Sequence, residues 1–334
     1  MFDKLEYEEE KTIKDKENKN YKKFKSLVLK TIGNKKAGNS LGDYEVAMEV
    51  KANYGENENY RNLEILANEY DKCKNNAKLE NHMPIKEERL GYAANEYIIK
   101  SALEFGESLN IDKKLMIETI IMNSPRYSML SSIDKEYTID YIETFLDEYP
   151  DRLELSTIIT RLMNAESSIQ SIEENGNAGF SIASIGNLLK ISWEINREII
   201  ASDVVKEEFR RDIFNHEITH YLLKNYQKIY KDKAWNGYKT FDINSKKTEY
   251  EMADEGITNE ISINITKSQG HSVLPGHEAE RFVVAKNDII SQIDMKKPFE
   301  TDEDLLKEIE KDSQVIKTII DMRYHIHKNG YREL

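Results

Sequence analysis

The sequence predicts an α+β fold that is predominantly α-helical. Three observations carry that expectation. Helix formers such as Lys, Glu, Leu and Ile dominate, and only 5 prolines occur in 334 residues, which leaves room for long helices. Apolar residues return every three or four positions through most of 41–168. One short run, Leu189 to Ile195, alternates apolar and polar side chains instead, the period of a half-buried strand.

Taken in order, the chain divides into three expected regions: 1–40, 41–168 and 169–334. Residues 1–40 hold 11 Lys against 7 Asp and Glu, in a chain whose net charge is −13. The first twenty are poor in apolar side chains, so this segment is expected to be charged and partly disordered. Within it, Tyr21, Phe24, Leu27, Val28 and Ile32 recur at helical spacing among lysines. That describes a basic amphipathic helix, which docks on its own domain or lies on an anionic membrane surface. Asn34, Gly38 and Asn39 then mark a loop.

The helical domain 41–168 shows its periodicity in 59–73, 88–108, 113–122, 138–148 and 152–164. Pro84, Gly106, Asn110, Pro125 and Pro150 read as the breaks between them. Ala-Asn-Glu-Tyr occurs at 67–70 and again at 94–97, and the tyrosines there read as core packing.

In the third region, Gly176, Gly179 and Gly186 cluster ahead of the alternating run. Phe180, Ile182 and Ile185 suggest a partner strand, and Gly186-Asn187 suits a two-residue turn, so a β-hairpin is expected. A long helix is expected from about Val205 to Lys231, and another over 248–266. Helical segments near 279–294 and 301–328 complete the chain.

Composition narrows the function classes. A net charge of −13 argues against a general nucleic-acid binder, because phosphate recognition needs clustered Lys and Arg. No run of eighteen apolar residues is present, so no integral membrane segment is expected. The single cysteine, Cys73, excludes an intrachain disulfide and a thiolate metal site. The N-terminal residues carry an acidic run and no apolar core, unlike a secretory signal, so a cytoplasmic location is expected, with signal-independent export open.

The residues that carry chemistry begin at Asn215. His216-Glu217-Ile218-Thr219-His220 is a His-Glu-x-x-His motif. On a helix, two histidines four apart lie one turn apart on one face, and both rings reach a single metal ion. The glutamate beside the first histidine stands next to the metal without ligating it, placed to take a proton from a metal-bound water. Ile213, Phe214, Asn215, Ile218, Thr219 and Tyr221 are all uncharged in a chain that is 33% charged.

A catalytic zinc site takes three protein ligands and a water, so one ligand must come from elsewhere. His271, His277, Glu249, Glu251, Glu255 and Glu260 are the candidates. The segment Met252 to Glu260 reads as a helix with Glu255 and Asn259 one turn apart. Glu255 is placed to ligate while Asn259 hydrogen-bonds a ligand histidine. Glu260 lies about 140° round that helix from Glu255, so only one of them faces the metal.

This pair of motifs resembles the gluzincin metallopeptidases, the thermolysin-like and aminopeptidase-like branch of the zincins. In that family a second helix supplies a glutamate within Asn-Glu-(Gly/Ala)-apolar-(Ala/Ser/Thr). Here Asp254-Glu255-Gly256-Ile257-Thr258 matches, with Asp where Asn is commoner. The resemblance spans roughly residues 179–262. It implies a zincin-like domain in 169–334, one Zn2+ ion held by His216, His220 and Glu255, and Glu217 as general base. It places Asn259 where the family often has an orienting aspartate, and strand 189–195 where a substrate peptide would pair. The 34 residues between His220 and Glu255 are more than in thermolysin, and 231–247 is expected to be a polar surface loop that absorbs the length.

The implied activity is zinc-dependent hydrolysis of peptide bonds in a peptide or protein substrate. A donor for the developing oxyanion is also needed. Tyr238, Tyr250, His271 and His277 are candidates, and His277 is preferred because Pro275-Gly276 marks a turn that presents it. The N-terminal helical region would select a substrate, shield the cleft or bind a protein partner. Two other readings stand beside this one. One is a zinc-bound sensor or non-peptidase hydrolase. The other is a helical adaptor in which His-Glu-x-x-His is a coincidence.

Overall fold

The structure, a computed structural model, describes residues 18–34, 39–75, 83–125, 132–163, 210–223, 228–230, 233–242, 245, 247–273 and 278–329. These residues are predominantly helical, with one small antiparallel sheet. The chain divides into two compact units, Met1–Glu143 with Leu155–Asn164, and Thr144–Glu154 with Ala165–Leu334.

The first unit opens with α1, residues 18–30. Its apolar stripe is spent inside the protein: Phe24, Leu27, Val28 and Ile32 are all buried. Burying such side chains is worth about 1.5–3 kcal/mol each before entropy is counted. That decides for docking over a membrane surface, since the stripe a bilayer would take is covered. Asn20 fixes the start of α1 by donating to the Leu109 carbonyl at 3.0 Å.

Five more helices lie wholly or mainly in this unit: α2 (Ser40–Tyr54), α3 (Tyr60–Lys74), α4 (Met83–Ser108), α5 (Lys113–Asn123) and α6 (Ser132–Glu148). The unit is completed by α7 (Leu155–Met163). Local chemistry sets their ends. Asn39 caps α2 by accepting from the Gly42 amide, and Asp112 caps α5 by accepting from the Leu115 amide. Asn110, at φ 55°, turns the chain after α4. Two expected breaks belong to helices instead. Pro84 sits in the first turn of α4, where a missing N–H is tolerated. Gly106 is within α4, and a Cβ there would overlap the Met116 side chain. Tyr70 and Tyr97 of the repeated tetrapeptide are buried, and so is Cys73.

The second unit carries α8 (Arg210–Leu223), strands β1 (Lys228–Tyr230), β2 (Lys233–Asn236), β3 (Lys239–Asp242) and β4 (Lys247–Glu249), then α9 (Glu251–Ser268). It continues with α10 (Glu278–Lys286), α11 (Ile289–Gln292) and α12 (Glu303–Asn329). The strands form an antiparallel meander in chain order. Helix α9 packs against α8, α10 and α12. Its buried residues run most of the way round, including Ala253, Asp254, Gly256, Thr258 and Asn259, as befits a central helix. Asn264 on α9 donates to the Tyr149 hydroxyl at 3.1 Å, and Arg152 donates to the Ile290 and Ile293 carbonyls, which ties 144–154 into this unit.

Three expectations are corrected here. The helix expected to reach Lys231 ends at Leu223, and Lys228–Tyr230 pairs with β2 through Ile229 and Ala234. The expected loop 231–247 contains most of the sheet. Residues β2 and β3 are joined by Gly237-Tyr238, with Gly237 at φ 66°, a two-residue hairpin turn that glycine permits. The expected helix 279–294 is two helices, because Asp288 adopts a left-handed φ of 50° between them. The hairpin expected over 180–195 and the strand 189–195 lie outside the described residues.

Candidate metal centre

Helix α8 is held by its own uncharged flank. Phe214, Asn215, Ile218, Thr219 and Leu222 are buried. Asn215 donates to Thr266 Oγ1 at 3.0 Å and to Gln269 Oε1 at 2.9 Å, fastening α8 to the far end of α9. That fixes the rotation of α8 and leaves the His216 and His220 side chains only 20% and 13% exposed. Glu217 is half-buried beside them.

Helix α9 brings Glu255 to the same point. Its first turn is capped from outside: Tyr250 at the N-cap is left-handed and offers no side-chain cap, and Glu310 of α12 accepts from the Ala253 amide at 3.1 Å. Three donor atoms then converge. His220 Nε2 lies 3.2 Å from His216 Nε2 and 3.2 Å from Glu255 Oε2, and His216 Nε2 lies 3.5 Å from Glu255 Oε2. In a tetrahedral zinc site with bonds of about 2.0–2.1 Å, donors stand roughly 3.3–3.4 Å apart. The observed triangle therefore has the dimensions of three corners of such a site. His216, His220 and Glu255 form a cluster that can hold a metal ion. Two nitrogens and one carboxylate oxygen are the donor set zinc accepts, with a fourth position left over.

The far side of His220 is held as well. Its Nδ1 lies 3.1 Å from Thr258 Oγ1 and 3.5 Å from Asp254 Oδ2. Burial disfavours a charged ring, but the hydrogen bonds and charges of Asp254 and Glu255 outweigh it and push the His220 pKa up to about 9. Burial likewise works against a charged Glu255, yet hydrogen bonds from His216 and His220 hold that carboxyl well below the ordinary carboxylate range.

The other candidates point elsewhere. Glu260 accepts from Arg281 Nε at 2.9 Å and from Asn264 at 3.3 Å, on a different side of α9. Glu251 is exposed and pairs with Lys239 at 2.8 Å, Glu249 belongs to β4, and His271 is exposed beyond the end of α9. Tyr238 and Tyr250 are buried, and Tyr250 donates to Glu303 at 3.1 Å. His277 lies outside the described residues. Asn259 is buried on α9. The residues facing His220 Nδ1 are Asp254 and Thr258, whose roles the sequence reading missed. Their signal was present: they sit four apart on one helix face, flanking Glu255.

No family model, curated protein or solved structure matches this chain.

Proposed function

We propose that this chain is a zinc-dependent metallopeptidase, with His216, His220 and Glu255 as the protein ligands and Glu217 as the general base. The observation that carries the reading is the triangle of donor atoms, with sides of 3.2, 3.2 and 3.5 Å, between two helices. A bound zinc ion would supply a Lewis acid for a carbonyl oxygen and for water.

Each side chain then has its task. His216 and Glu255 would hold the ion through one donor atom each. His220 does so through Nε2, which requires its proton on Nδ1, and both Thr258 and Asp254 offer an acceptor there. Glu217 follows His216 by about 100° of helical turn and is half-buried, next in sequence to the ligand face of α8. From there its carboxylate takes a proton from the attacking water and delivers it to the leaving amine.

The test is zinc content by elemental mass spectrometry, run on wild type, Glu255→Ala and Glu260→Ala, followed by digestion of unfolded casein with peptide mass spectrometry. One zinc per chain, lost in Glu255→Ala and kept in Glu260→Ala, together with zinc-dependent cleavage, supports the reading. Zinc without cleavage of any protein would favour a sensor or another hydrolase. No zinc after supplying it would overturn the metal site and favour the helical adaptor.

A further inference from the structure

Among the described residues, Asp254 links the β2–β3 hairpin to the metal centre. Asp254 is 5% exposed. Its Oδ1 accepts the Tyr238 amide of the hairpin turn at 2.9 Å, and its Oδ2 faces His220 Nδ1 at 3.5 Å. The preceding residue, Gly237, is seated so closely that a Cβ there would lie 2.7 Å from Asp254 Oδ1. The same Cβ would be 3.9 Å from the carbonyl oxygen of Leu223, the last residue of α8. One turn of the sheet is therefore wedged between the start of α9 and the end of α8, with the carboxylate as its contact.

We propose that Asp254 is a positioning residue for the metal centre, and that the Gly237-Tyr238 turn holds its carboxylate against His220. The chemistry is directional. For His220 to offer a lone pair at Nε2, its proton must sit on Nδ1 and be accepted there. An ionised carboxylate only accepts, whereas the Thr258 hydroxyl both donates and accepts, so Asp254 is the group that selects the tautomer. The Tyr238 amide occupies the other oxygen and fixes the plane of the carboxylate. Groups of this kind, behind a ligand histidine, typically change metal affinity by 10–100-fold when removed. The role departs from the resemblance drawn above, which placed the orienting group at Asn259. It makes the hairpin a structural part of the metal site.

The inference rests on the metal-site reading above, and the experiment separates the two. Zinc affinity is measured by competition with a chromogenic chelator for wild type, Asp254→Asn, Asp254→Glu, Gly237→Ala and Glu260→Gln, with folding checked by circular dichroism. Cobalt substitution gives a second readout, the visible absorption of the bound ion. We expect Asp254→Asn and Gly237→Ala each to bind zinc about 10–100-fold more weakly and to shift the cobalt spectrum. Asp254→Glu, which keeps the charge, should recover part of the affinity. Glu260→Gln, which loosens a different side of the same helix, should bind as wild type does. Wild-type affinity in both Asp254→Asn and Gly237→Ala would overturn the inference, as would equal weakening in Glu260→Gln. Should Asp254→Asn not fold, Gly237→Ala and Asp254→Glu decide between the same outcomes. Absence of zinc binding by wild type would instead overturn the metal-site reading itself.

Discussion

Gly256 lies directly against the main chain of Glu280. A Cβ at Gly256 would come within 2.9 Å of the Glu280 carbonyl oxygen and 3.1 Å of its Cβ. Helix α9 therefore touches α10 along a line where no side chain fits. The neighbouring residue is Glu255, so this contact also sets how far α9 advances toward α8. Alanine in a helix normally gains up to about 1 kcal/mol over glycine. Here the obstructing atoms are backbone and cannot rotate away. Overpacking of that kind costs about 1–3 kcal/mol. Gly256→Ala should therefore lower stability, read as a lower urea midpoint with an unchanged slope.

The start of α9 has no cap of its own. Its N-cap residue, Tyr250, adopts φ 62° and has no capping side chain, and Glu310 from α12 serves instead. Loss of a cap costs about 0.5–2 kcal/mol, so Glu310→Ala should destabilise by that order in chemical denaturation. Burial pushes the Glu310 carboxyl above its ordinary range, with the Ala253 and Met252 amides pulling it back. The charge is thus disfavoured where it sits. Glu310→Gln keeps an acceptor oxygen without the charge and should be milder than Glu310→Ala.

How much of this could be read from the residues follows physical range. The two-histidine face of α8 depends on four consecutive positions and one helical turn, so His216 and His220 were legible at once. The same helical geometry said that Glu255 and Glu260 diverge, but it could not choose between them. That choice depends on Arg281, which neutralises Glu260 from α10 at 2.9 Å. Segment 228–242 departs from the expected helix end and loop because its strands are short and rich in lysine. Their stability comes from pairing with one another, a non-local term. Gly237, the first residue of the two-residue turn, is the local signal for the hairpin.

The metal-free protein should show a pH signature from its ligand cluster. His220 has a folded pKa raised to about 9. A raised pKa means the protonated form is favoured by folding. Its contribution is full below the unfolded value of about 6.5 and is lost as pH climbs through 9. Glu255 behaves in the opposite sense. Its folded pKa is depressed, so its contribution is present above about 4.5 and is lost on acidification. Melting temperature in chelator should thus be lower at pH 9.5 than at pH 6. In Glu255→Gln, which removes one of the two acidic partners of His220, the alkaline loss should shrink. An equal alkaline loss in that variant would show that the signature arises elsewhere.

The proposed mechanism makes its sharpest prediction at Glu217. The donor triangle is complete without it, formed by His216, His220 and Glu255. Its carboxylate is therefore not needed as a ligand and would be available to a metal-bound water. Glu217→Gln preserves shape and polarity but cannot take a proton. Zinc content should stay at the wild-type level, and melting should change little, because a half-buried side chain replaced by its isostere loses few contacts. Cleavage of unfolded casein should fall by about 10²–10⁴-fold, the usual share of a general base. The comparison needs equal zinc loading, verified by elemental analysis on the same samples. Wild-type cleavage by zinc-loaded Glu217→Gln would remove Glu217 from the mechanism while leaving the ligand set intact.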